Sequence, residues 1–311
     1  MAVLRAPVPW LPLAAIVALA WFGSLLAPLW VYTTTLAVFG LAHVAEELRY
    51  LHHRFGRWLA PVTLGLGGAL SVVMLTRTLR WLEWMPAGAG YVVELAAAVA
   101  VLWVPVGWWW RSRGASAVAV ALSVGLLGGL LWAPIPTLLA VAVLHNLTPV
   151  PLLAEALPAT ARPRFAVGAL LVFLALPALL ATGLPWGWVE GLAWPEARLL
   201  PSGSLAANYT AYLPVAWARQ DGAQHWFTAI VFTQCLHYTA VLGALPRWSP
   251  VASRGWVAGL LAATGLLWLG YAVDFREARE LYGIVASVHA WIEVPILVLL
   301  LLPSRALNQA G

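Results

Sequence analysis

Residues 281–303 read LYGIVASVHAWIEVPILVLLLLP, an apolar run whose only charged side chain is Glu293, one helical turn after His289. At about 1.5 Å rise per residue, a run of about 20 apolar residues spans the roughly 30 Å of bilayer hydrocarbon, so this stretch predicts a transmembrane helix. A carboxylate at that depth costs roughly 2.5 kcal/mol or more unless it is paired or bound to a metal. The same stretch therefore sets the fold class and marks where chemistry is to be sought.

The rest of the chain agrees. With 62% hydrophobic and 9% charged residues over 311 positions, too little polar surface exists to cover a water-soluble core. Nine further apolar segments, at about 9–27, 29–51, 58–77, 88–110, 115–132, 134–156, 164–184, 224–246 and 255–273, predict an all-α polytopic membrane helix bundle of about ten transmembrane helices. The pair 115–132 and 134–156 also reads as one broken element. Arg5 followed by apolar residues 11–26, with Ala18-Leu19-Ala20 as a weak cleavage site, resembles a signal peptide but is long enough to be a retained first helix. The expectation is one transmembrane domain over 1–311 in a bacterial inner membrane.

The charged residues exclude several functions. All 17 basic residues are arginine, and without lysine no retinal or pyridoxal Schiff base can form. A single Cys235 rules out an internal disulfide and cysteine-held clusters, so any metal must use imidazole and oxygen ligands. The net charge of +5 comes from arginines at helix ends, with no basic stripe of the kind that binds nucleic acid. On alternate faces of a ten-helix bundle, eleven arginines (5, 49, 54, 57, 111, 113, 162, 164, 247, 254 and 305) oppose six (77, 80, 198, 219, 276 and 279). By the positive-inside rule both termini face the cytoplasm.

Four histidines, His43, His145, His237 and His289, then lie on helices running inward. They sit about 14, 11, 13 and 8 residues from the outer end of their helices, or roughly 12 to 21 Å deep. Overlapping depths are what one shared polar site requires. In LAHVAEELRY at 41–50, His43, Glu46, Glu47 and Tyr50 recur at helical spacing and form one stripe, although Glu46 or Glu47 can also meet Arg49 at the interface. His289 and Glu293 can share one ion, or the carboxylate can orient the imidazole. Pro295 opens the backbone ladder beside them. Gln234, His237 and Tyr238 bring an amide, an imidazole and a phenol together. His145 is followed by Pro149 and Pro151, which predict a kink or an unwound turn, tolerated at membrane depth only where it is buried in protein or lines a cavity. His52, His53 and His225 read as interfacial.

These readings give a metal-ligand set of His43, Glu46, Glu47, His145, His237, His289 and Glu293, with Tyr238 and Glu94 as candidate catalytic groups. Mixed imidazole and carboxylate ligands suit iron, with zinc or manganese as alternatives. The expected function is a non-haem iron oxidoreductase acting on a lipid or other hydrophobic small molecule, served by an electron-donor protein. The alternatives are a b-type haem or quinone electron-transfer protein with paired axial histidines, a zinc hydrolase, and a proton- or ion-coupled transporter. The chain has no HxxxH, which separates it from histidine-box desaturases and from ceramidase-like zinc hydrolases. Segment 185–223, rich in Trp and Tyr with few charges, is expected to form a long outer interfacial loop, with a partly helical lid over an outward-facing cavity as the alternative.

Overall fold

A computed structural model describes residues 10–108 and 113–300, and among these residues the structure is helical with no strand. The helices are α1 (Trp10–Leu26), α2 (Pro28–Leu59), α3 (Thr63–Trp81), α4 (Ala87–Trp108), α5 (Arg113–Trp132), α6 (Pro134–His145), α7 (Pro149–Ala156), α8 (Arg162–Leu170), α9 (Leu176–Ala181), α10 (Leu205–Tyr209), α11 (Val215–Ala218), α12 (Ala223–Gly243), α13 (Arg254–Val273) and α14 (Phe275–Leu300). Arg5, Arg111 and Arg305, which entered the orientation argument, lie outside the described residues, as do the chain termini.

Seven helical stretches are long and apolar enough to cross a membrane: Pro28–Trp81, Ala87–Val104, Pro134–Ala156, Arg162–Ala181, Ala223–Trp248, Arg254–Val273 and Phe275–Val298. The first, at 54 residues, contains both α2 and α3, joined by a short 3-10 turn at Ala60–Val62. Pro12–Leu26 and Ser116–Trp132 are shorter apolar helices. The outward surface of the bundle is apolar: Leu64 is 93% exposed, Leu266 70% and Val273 85%. Such leucines are stable against acyl chains and not against water, so the chain is an integral membrane protein.

The breaks follow backbone chemistry. Pro28, Pro134 and Pro149 sit in the first turns of α2, α6 and α7, where the missing donor costs nothing. Ala133 between α5 and α6 leaves the helical region (φ −155°), so 113–132 and 134–145 are two elements in contact. A Cβ at Gly129 would come within 2.1 Å of the Thr137 hydroxyl, which shows how close that approach is. Asp274 separates α13 from α14, and its carboxylate accepts from the backbone N–H groups of Arg276 and Glu277.

At the centre stands α12, buried along most of its length and packed against α1, α2 and α9. α14 packs against α2, α3 and α4. Segment 185–223 is folded: it contains α10 and α11, and it is tied to the end of α1 by Trp194 N–H donating to the Leu26 carbonyl (2.7 Å) and to the start of α2 by Leu199 N–H donating to Thr33 Oγ1 (3.1 Å). Its Leu200 and Leu205 join Leu29, Tyr32, Phe227 and Tyr271 in one apolar cluster, while Trp188 and Trp194 stay exposed. The segment is a packed cap on the bundle, bordered by surface tryptophans.

Candidate metal centre

On α2 the buried residues His43, Glu47 and Tyr50 recur at i, i+4 and i+7, which sets them on one face. His43 Nδ1 lies 3.2 Å from the Phe39 carbonyl one turn back. With the proton on Nδ1, that bond fixes the tautomer and leaves Nε2 as the ligand atom. On α12, His237 is buried in the most enclosed helix of the bundle. α14 contributes His289 and Glu293. His145 is the last residue of α6: beyond it the Thr148 N–H and hydroxyl both fold back to the His145 carbonyl (3.0 and 2.8 Å), so the helix unwinds where Pro149 and Pro151 require it.

Four helices thus bring four imidazoles together. Ring centroids lie 4.6 Å apart for His145–His237 and His145–His289, 5.0 Å for His43–His289 and 5.1 Å for His43–His237. One ring nitrogen of each histidine falls within 4.8 Å of the others. His145 Nε2 and His289 Nε2 are 2.9 Å apart. Two ligands each about 2.0–2.1 Å from one ion and at right angles to each other lie about 2.9 Å apart, so this pair has the spacing of neighbouring positions in a coordination sphere.

Two carboxylates complete the site, both with no solvent exposure. Glu47 Oε2 is 3.5 Å from His237 Nε2 and 3.9 Å from His289 Nε2. Glu293 Oε2 is 2.8 Å from His145 Nδ1. None of these contacts is aligned as a hydrogen bond, and the oxygens of Glu47 and Glu293, both nitrogens of His237, His289 Nδ1 and His145 Nδ1 are buried without a hydrogen-bond partner. Buried polar atoms normally have partners. So many unmet lone pairs converging on one volume fit a cation that they would share.

Around this set, Tyr238 lays its ring against His43 with centroids 4.2 Å apart and planes 33° apart. Gln234 faces away from the histidines, donating to Thr35 Oγ1 (3.2 Å) and accepting from the Tyr212 hydroxyl (3.4 Å).

The structure does not bring Glu46 or Glu94 to the site. Glu46 is ion-paired with Arg49 one turn on and accepts from Trp256 Nε1 (3.2 Å), because a position adjacent to Glu47 points about 100° around the helix. Glu94 is buried in a different network. Its Oε1 accepts from Arg77 Nε (3.0 Å), Arg77 Nη2 (2.6 Å) and Trp291 Nε1 (3.3 Å), and Arg80 lies 3.6 Å from its Oε2. Arg77 also donates to the Gly283 carbonyl (2.7 Å). That clamp joins α3 and α4 to α14 on both sides of His289, a positioning role that sequence reasoning missed. Arg77 and Arg80 inside an otherwise apolar α3 were its signal. His52 and His53 are exposed, and His225 lies against Trp186 at the edge of the bundle.

Comparison with protein families, with curated proteins and with solved structures finds nothing that matches this chain.

Proposed function

We propose that this chain is a membrane-embedded metal-dependent oxidoreductase in which His43, His145, His237 and His289, with Glu47 and Glu293, hold a transition metal, iron in the first instance. One observation carries the reading: six ligand-type side chains from four helices meet in a buried volume, with both oxygens of each carboxylate and four of the imidazole nitrogens unpartnered. Imidazole with carboxylate is a donor set for iron, manganese or zinc and not for the soft-ligand metals. A haem would need two axial imidazoles on opposite faces of a planar macrocycle. Four rings closing on one another at 4.6 to 5.1 Å leave no such slot between them, which supports a bare ion.

A bound transition metal with an open position supplies one-electron or oxygen-activating chemistry. The chain's own residues set its limits. Tyr238 screens the His43 side with its ring and is the phenol we assign as proton donor to a bound substrate. Glu47 faces two imidazoles and is paired with no arginine among the described residues, which supports its role as a ligand beside them. The site lies within helices apolar enough to cross a membrane, which supports a hydrophobic substrate drawn from the bilayer. Electrons would come from a separate donor protein.

The same proposal includes ten membrane crossings with both termini in the cytoplasm of a bacterium. The uneven distribution of arginines supports it, as do the seven spanning stretches, the first of which holds two helices, taken with the two shorter apolar helices.

The test is made on iron-loaded protein in nanodiscs of native lipid extract, supplied with reductant and oxygen. The proposal expects a lipid-soluble component to gain oxygen or lose hydrogen by mass spectrometry, and His237→Ala to abolish the change. Hydrolysis products with zinc bound, or no chemical change under any metal, would overturn the oxidoreductase reading.

A further inference from the structure

The arrangement of His145 carries a conclusion beyond the presence of a metal. Its two ring nitrogens face different partners: Nε2 is 2.9 Å from His289 Nε2, and Nδ1 is 2.8 Å from Glu293 Oε2. The two ring nitrogens of a histidine point in diverging directions in the ring plane, so one ion cannot bind both. If Glu293 served only to orient His145, the Nδ1–H would point along the contact as a hydrogen bond. It does not, and both atoms remain without a hydrogen-bond partner although fully enclosed. A short, misaligned nitrogen–oxygen contact is what two ligands of one ion make, since each points at the ion and not at the other.

We propose that the site holds two transition-metal ions bridged by His145 as the imidazolate, its N–H proton being released to solvent when the second ion binds. This rests on the metal-centre reading above. The first ion takes His43, His237, His289 and His145 Nε2. The second takes His145 Nδ1, Glu293 and Glu47, whose ligand atoms lie within 4.8 Å of one another. Glu47 belongs to the surroundings of both, because its Oε2 also faces His237 and His289. The Glu293 carboxylate, buried beside His145 and Glu47 with no arginine partner among the described residues, gains the counter-charge that its depth requires.

The experiment is a titration of the metal-free, detergent-purified full chain with Co(II), followed by its visible absorption. Two ions give a break at two equivalents in the wild type and at one equivalent in Glu293→Gln. A break at one equivalent in the wild type overturns the pair and leaves the metal centre standing. No binding overturns both. Should Glu293→Gln fail to insert, the wild type alone decides by electron paramagnetic resonance. With two equivalents of Cu(II), an imidazole-bridged pair shows a coupled spectrum, of lower integrated intensity than two isolated ions, whereas two isolated signals refute the bridge.

Discussion

Arg77→Ala is the substitution whose cost is best defined by this structure. Arg77 makes three charged hydrogen bonds, two to Glu94 Oε1 and one to the Gly283 carbonyl, and Glu94 has no exposure to solvent. Removing one partner of a buried ion pair costs about 3–5 kcal/mol, because the other charge stays in a medium that cannot solvate it. Glu94 would keep Trp291 Nε1 at 3.3 Å and Arg80 at 3.6 Å, which places the loss near the lower end, at about 3 kcal/mol. That is a roughly 100-fold shift of the unfolding equilibrium. The second substitution tests the reason. In Arg77→Ala with Glu94→Gln the stranded charge is gone, and at least half of the loss should return. The assay is reversible denaturation in mixed micelles, followed by helical circular dichroism, with bound metal measured in parallel. Bound metal should be unchanged in the folded fraction of each variant, since Glu94 is not a ligand. The reasoning is refuted if Arg77→Ala is as stable as the wild type, or if the double variant is no more stable than the single one.

Other outcomes follow from the same contacts. Glu46→Gln should bind metal as the wild type does, whereas Glu47→Gln should weaken binding at least 10-fold, read by competition with a chelator. Tyr238→Phe preserves the ring against His43 and should keep bound metal, whereas His43→Ala should lower it, measured by elemental analysis. Gly129→Leu drives a side chain into Thr137 and should destabilise the α5–α6 contact by about 1–3 kcal/mol in the same denaturation assay.

What could be read in the sequence was whatever depends on local pattern and depth. The apolar runs gave the membrane class, His289 and Glu293 share one turn by spacing alone, and Pro149 with Pro151 announced the unwinding that begins after His145. The four histidines also share a depth, which their positions in the helices state without any knowledge of neighbours. What could not be read depends on rotation and partner choice. Glu46 and Glu47 are adjacent, and only the packing of α2 against α12 and α14 turns one inward and leaves the other to Arg49. Glu94 looked free because its partner, Arg77, lies on another helix and had been counted as a surface charge. In segment 185–223, Leu200 and Leu205 pack onto the bundle, and their spacing has no helical or strand period to reveal that.

The most direct test of the central claim is metal content and absorption spectrum of the detergent-purified chain from metal-replete cells, for the wild type and His237→Ala. The account expects at least one transition-metal ion per chain, no Soret band, and loss of that metal in the variant while the protein still inserts and purifies. A metal-free wild type, a Soret band, or metal content unchanged by His237→Ala would contradict it.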